Sequence, residues 1–386
     1  MICSEQSGAV LSANGGTSNA ILDFLRESIR NGQVDSVLLP VRVPSGDSFA
    51  WILTNDDSIL AGASPIAPVM PVQGARALRS LTRKGTGKQT VLALMRPCEI
   101  RAAIELVKLG QVHSDNLILA SFDCPGAMPL KDYMNDPGES DRHFSRILET
   151  GEQGGKVRPT CETCIEFSRV GSDIHFCHLG LRNGNVLVIP GSVRGEELLN
   201  GSLSDVSGDA SIWQKEVERL RESRSAAREG AFTVTGDEIR GFSGMQSVFT
   251  DCIGCHNCQS ACPICYCRLC YFDSETAGQD PDAKMVSAAR RGGISLPVDR
   301  IMFHTGRMAH MSLSCVSCGQ CTDVCPVSIS VAEVFSFVAD QTQRAFEYRA
   351  GEDADAPLPL REFRKSELPG IQELVKGADS EVSTDE

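Results

Sequence analysis

Apolar residues recur at helical spacing at Ile21, Leu22, Leu25 and Ile29, so the stretch that follows Gly15 and Gly16 reads as a helix with one buried face, closed by Gly32. Residues 34–43 then read as a strand. A second α/β stretch begins near Val72. Its unbroken apolar run at 91–95 predicts a buried strand, a helix over 99–109 follows, and 116–122 is a further apolar strand. Each of these strands runs into a cysteine, Arg96-Pro97-Cys98-Glu99 after the first and Asp123-Cys124-Pro125-Gly126 after the second. In an α/β domain chemistry gathers at the carboxyl ends of strands, so Cys98 and Cys124 are better ligand candidates than core thiols. Cys161 and Cys164 add a C-x2-C pair in the loop beyond. These four thiols suit a further iron–sulfur cluster, with zinc or a buried reduced pair as open alternatives.

Further along, 200–210 is a Gly/Ser/Asp-rich linker, and Trp213, Val217 and Leu220 mark an exposed amphipathic helix rich in Arg and Glu that joins two domains. Helical spacing in 299–310 puts His304 and Arg307 on one side, close to Cys315. That position suits packing against a cluster and tuning its potential, the alternative being ordinary helix surface. After Gly351 the composition turns to Pro, Asp and Glu, and from about Gly377 it reads as a disordered acidic tail. The expected layout is an α/β domain over 1–200, a linker helix over 201–240, a mainly α two-cluster ferredoxin-like domain over 241–345 and an extension over 346–386.

The strongest chemical signal is a repeated cysteine run. Cys252, Cys255, Cys258 and Cys262, followed by Pro263, have x2, x2, x3 spacing, and Cys315, Cys318, Cys321 and Cys325, followed by Pro326, repeat it. In such a run three thiolates converge on one [4Fe-4S] cubane and the fourth serves the other, which predicts Cys252, Cys255, Cys258 and Cys325 on one cluster and Cys315, Cys318, Cys321 and Cys262 on the second. Structural zinc would need only C-x2-C pairs. With Cys3 set aside, Cys177, Cys265, Cys267 and Cys270 are left over. They permit a fourth metal site, against thiols that pack near the clusters without metal.

Composition narrows the setting. The 386 residues, 41% of them apolar, can build two or three domains, and 17 cysteines with ferredoxin spacing and no signal peptide point to reduced thiolates in a cytoplasmic protein, not to a disulfide framework. No apolar run could span a bilayer. A net charge of −13 argues against nucleic acid as a partner. Gly15 and Gly16 leave room for close backbone approach, Thr17, Ser18 and Asn19 add polar groups, and the helix that follows would turn its positive end toward a phosphate; a plain loop is the alternative.

Gly-Gly-Thr-Ser-Asn-Ala, Arg-Pro-Cys-Glu-Ile-Arg-Ala, Phe-Asp-Cys-Pro-Gly and Cys-Glu-Thr-Cys-Ile-Glu-Phe with Ser172-Asp173-Ile174 occur in an order that resembles the beta subunits of deazaflavin-coenzyme-reducing hydrogenases and formate dehydrogenases. The Arg-Pro-Cys-Glu form and the ferredoxin placed second are most similar to the formate dehydrogenase type. The resemblance implies that Cys98, Cys124, Cys161 and Cys164 hold a third cluster beside an FAD near Gly15, Gly16, Thr17, Ser18 and Asn19, with Arg96 offering a charge at a neighbouring strand end. One departure is Phe176-Cys177-His178, where the family implies a glycine-containing segment. The expected function is an electron-transfer subunit linking clusters, flavin and a hydride carrier, deazaflavin or NAD(P). Its partners would be a catalytic formate dehydrogenase or hydrogenase chain, or heterodisulfide-reductase-like subunits. The alternatives are a flavin-free iron–sulfur adaptor and a zinc-stabilised scaffold.

Overall fold

The computed structural model describes residues 8–11, 15–181, 185–202, 210–275, 277–278, 280–359 and 361. The acidic tail expected from about Gly377 lies outside them, as does most of the linker at 200–210. Seven strands, β1 (Ala9–Leu11), β2 (Ser36–Arg42), β3 (Phe49–Thr54), β4 (Val91–Leu94), β5 (Leu117–Phe122), β6 (Ile174–Cys177) and β7 (Val186–Pro190), form one sheet in the order β1-β7-β6-β5-β4-β2-β3. Its centre is parallel, with β2 on β4, β4 on β5 and β5 on β6, while β3 and β7 pair antiparallel with β2 and β6. Because β1 is antiparallel to β7 it points the same way as the parallel set. The ends of β1, β4, β5 and β6 therefore share one edge of the sheet, where Gly15, Arg96, Cys124 and His178 follow.

Both faces of the sheet are covered, which is why its central strands read as continuous apolar runs. Leu92, Leu94, Ile118 and Ala120 face one core with Leu22 and Leu25 of the helix Thr17–Arg30. Val91, Ala93 and Leu117 face a second core with Leu78, Ile100 and Ile104 from the helices Gly74–Thr82 and Pro97–Lys108. That second core does not stop at the α/β region. It continues through Phe249, Phe303, Met311, Val331 and Phe335, so the cysteine-rich region is built onto one face of the sheet.

The linker helix runs Ser211–Glu238, and Trp213, Val217 and Leu220 are buried against Phe167, Leu187 and Ile189, leaving its Arg- and Glu-rich side to solvent. Past the last helix, Val331–Ala345, the chain returns to the first region. Tyr348 Oη donates to Glu105 Oε1 at 2.5 Å, Gly351 N donates to the same oxygen at 2.8 Å, and Arg101 Nε donates to the Ala350 carbonyl at 2.8 Å. The extension expected after residue 345 thus begins as a strap that ties the two regions together.

Candidate functional site

Twelve thiols fall into three groups. Burial pushes the Cys252 and Cys258 thiols up, and Cys255 and Cys325 are among the neighbours that push them further. Burial likewise raises Cys315 to about 11 and Cys318 to about 12, and Cys262 adds to both and to Cys321. The last cysteine of each run is thus among the charges felt by thiols of the other run. In the third group burial raises Cys98, Cys161 and Cys164, and Cys124 adds to all three.

Among the described residues no three His, Cys, Asp or Glu side chains converge closely enough to hold a single metal ion. A cubane takes one thiolate at each of four iron corners, and each group here supplies four thiols. The polar surroundings suit thiolate charge. Arg96 Nη1 donates to Cys124 Sγ at 3.2 Å, Ala127 N to Cys161 Sγ at 3.4 Å, Ile329 N to Cys325 Sγ at 3.4 Å and Arg307 Nη1 to Cys258 Sγ at 3.1 Å. The helix Arg300–Met311 buries His304 and Arg307 on the side of the first group. There His304 stacks on Phe249 with ring centroids 3.8 Å apart and sets Nε2 3.4 Å from Cys252 Sγ. Burial first, then Arg307 and His256, pushes His304 down to about 3, so it stands neutral.

The sheet edge carries a second feature. Gly15, Gly16, Thr17 and Ser18 line a cleft of about 810 Å³ whose opposite wall includes Ser145, Gly151, His178, Gly180 and Glu216. Gly16 adopts φ 94°, a conformation that favours glycine, and a Cβ there would meet nothing within 4 Å. Two expected residues are placed elsewhere. Asn19 Nδ2 donates to the Gly15 carbonyl at 2.9 Å, which shapes the loop without lining the cleft. Arg96 is buried at the third thiol group, where it also donates to the Gly126 carbonyl at 2.8 Å; it caps the helix that carries Cys98 and does not reach the cleft.

Asp123 links the cleft to the third group. Its carboxylate accepts from Trp213 Nε1 at 2.9 Å, His178 N at 2.8 Å and Ser168 Oγ at 2.5 Å, and lies 3.0 Å from His175 Nε2. Burial alone would raise this carboxyl, but the His175 and His178 neighbours and the Ser168 bond hold it well below the usual range. Residue-by-residue reading missed this network. Asp123 was visible only as the neighbour of Cys124, and its partners come from three separate segments.

The leftover thiols are not brought together. Cys177 is buried with Phe167, Leu187 and Trp213 in the small core under the linker helix, whereas Cys265 packs in the sheet-to-ferredoxin core against Met311. Cys265 lies against Cys262, and a hydrogen bond from its thiol lowers Cys262. Cys267 is exposed. Cys177 therefore lies in a different core from Cys265, and a fourth site built on both is not supported.

Comparison with known proteins adds to this geometry. A 4Fe-4S dicluster domain matches residues 222–329. The F420-dependent formate dehydrogenase 1 subunit beta of Methanococcus maripaludis is 25% identical over 387 residues, covering 90% of this chain and 93% of the relative. The F420-dependent formate dehydrogenase subunit beta of Methanocaldococcus jannaschii is 23% identical over 378 residues, covering 89% and 93%. A chain of the F420-reducing [NiFe] hydrogenase complex from Methanosarcina barkeri covers 62% of this chain and 94% of itself at 12% identity, with a TM-score of 0.45, too loose a likeness to carry an argument. Among the described residues no helix is long and apolar enough to cross a membrane. By similarity along nine-tenths of its length, the chain is a homologue of formate dehydrogenase beta subunits, which are subunits of oxidoreductase complexes.

Proposed function

We propose that this chain is the iron–sulfur flavoprotein subunit of an F420-type formate dehydrogenase complex, with formate chemistry on a partner chain. Three [4Fe-4S] clusters, one per thiol group, and an FAD in the cleft at Gly15, Gly16, Thr17 and Ser18 make up its cofactors. The observation that carries this reading is continuity: Arg158, three residues before Cys161, donates to the Cys318 carbonyl of the second group, and Asp123, next to Cys124, binds His178 of the cleft. Bound there, flavin would exchange a two-electron hydride for single electrons, which cubanes carry one at a time.

The chain's own residues do the holding. The glycine pair lets backbone approach a phosphate, the helix Thr17–Arg30 turns its amino end toward it, buried Arg96 and Arg307 offset thiolate charge, and neutral His304 offers Nε2 to the Cys252 sulfur. The hydride carrier is F420 or a nicotinamide, and heterodisulfide-reductase-like subunits are the other candidate exchange partners. Cys161→Ala tests the third cluster. Iron should fall by about four atoms per chain because a cubane needs its four thiolates, while flavin stays bound. Electron transfer to the carrier should be lost and dye reduction kept. Unchanged iron with an unchanged reduced spectrum would refute the assignment.

A further inference from the structure

The second and third thiol groups share a wall, and one residue fills it. Arg158 precedes the short helix Pro159–Glu162 that presents Cys161, and its side chain is 3% exposed. Its Nη1 donates to the Cys318 carbonyl at 3.3 Å, its Nη2 donates to the Met70 carbonyl at 3.0 Å and pairs with Asp323, and its Nε is buried without a partner. Asp323, equally buried, also accepts from Leu130 N at 2.9 Å. Gln320 extends the joint by donating from Nε2 to the Pro71 carbonyl at 3.0 Å.

The backbone is equally close here. Gly319, at φ 78° between Cys318 and Cys321, has no room for a side chain: a Cβ would lie 2.4 Å from Thr160 Oγ1 and 3.1 Å from Arg158 Cδ. Arg158 thus sits three residues before Cys161 while bonding the Cys318 carbonyl, so its charge faces both sides of the wall.

We propose that Arg158 is the positioning residue of the junction between the second and third clusters: paired with Asp323, it locks the two cysteine loops together and holds one positive charge between both clusters. A buried cation stabilises the added electron of a reduced cluster, so one guanidinium raises both potentials together and keeps electron passage between them near level. Its fork also grips two loops at once, which an ammonium cannot do as well. The inference rests on the three-cluster reading above.

The test is a potentiometric titration of the full chain, purified without oxygen, followed by electron paramagnetic resonance, with Cys161→Ala identifying the third cluster's signal. In Arg158→Gln the second and third midpoint potentials should both move negative while the first stays, and Arg158→Lys should recover most of the shift. Asp323→Asn, which removes the opposing charge, should move the same two potentials positive, and it decides the matter if Arg158→Gln does not fold. The proposal is overturned if neither charge change moves either potential, or if all three clusters shift alike. Fewer than three cluster signals in the unaltered chain would instead overturn the cluster reading itself, and this proposal with it.

Discussion

Arg307 is the residue on which the environment of the first thiol group turns. It donates to both the Cys258 sulfur and the Cys258 carbonyl and stacks over Phe335, so its charge is fixed in place. Arg307→Gln removes that charge and should shift the first cluster's potential negative, on the order of 60 mV for each tenfold loss in the reduced-to-oxidised ratio. A titration in which only the third cluster moves would contradict this. Gly16 makes the corresponding case at the cleft. Because no atom crowds its Cβ position, Gly16→Val acts through the backbone, forcing a β-branched residue into φ 94° at a cost of about 1–3 kcal/mol and reshaping the loop. FAD content should fall while iron content holds; full FAD retention in the variant would mean the pair is only a helix-opening loop. That His304 and Arg307 share a helix side turned to cysteines was legible from helical spacing, but nearness to Cys315 pointed to the second group, whereas the fold sets them against Cys252 and Cys258 of the first. The Arg158–Asp323 pair was not, because its members are 165 residues apart and meet only when the two regions dock.

At the scale of elements, the readable features were those set locally. The apolar runs became β4 and β5, and the Ile21, Leu25 stripe became the helix Thr17–Arg30. Two strand ends carry thiols that meet Cys161 and Cys164, because the parallel pairing of β4 and β5 aligns their carboxyl ends. The strand β3 had a signal that went unread: Pro-Ser-Gly-Asp-Ser at 44–48 followed by five apolar residues is a hairpin pattern, and β3 does pair antiparallel with β2. Flavin contacts were overassigned at Arg96 because a strand end fixes only the edge of the sheet, not which neighbour a long side chain meets. The strap at 348–351 was read only as the start of an extension, since its partners Arg101 and Glu105 lie in a distant helix. It has a sharp test in Gly351, at φ 68°, where a Cβ would sit 2.2 Å from the Arg101 carbonyl oxygen. Gly351→Ala should cost at least about 2 kcal/mol, by adding steric displacement and lost buried hydrogen bonds to the backbone penalty. Gly292→Ala, left-handed but in open space, should cost only about 1–2 kcal/mol. Equal denaturant midpoints for the two variants would mean that the strap is not a fixed part of the fold.

For the whole molecule, the shared core matters most. One apolar core runs from β4 through Ile100 and Phe303 to Phe335, so the ferredoxin-like region cannot swing freely against the sheet, and the three thiol groups keep a fixed order from the first run to the sheet edge. On the proposed function, that order would let a wire of clusters end at the cleft. The two cysteine runs, the third set of thiols and the glycine pair were all legible in the sequence, the last two chiefly through the resemblance; the topology that brings the ends of β1, β4, β5 and β6 to one edge was not. The most direct test of the account is the iron and flavin content of the chain purified without oxygen, alone and with its partner subunits. The account predicts about twelve iron atoms per chain, three cubanes' worth, together with one FAD. Iron near eight, or a fully active preparation without flavin, would contradict it.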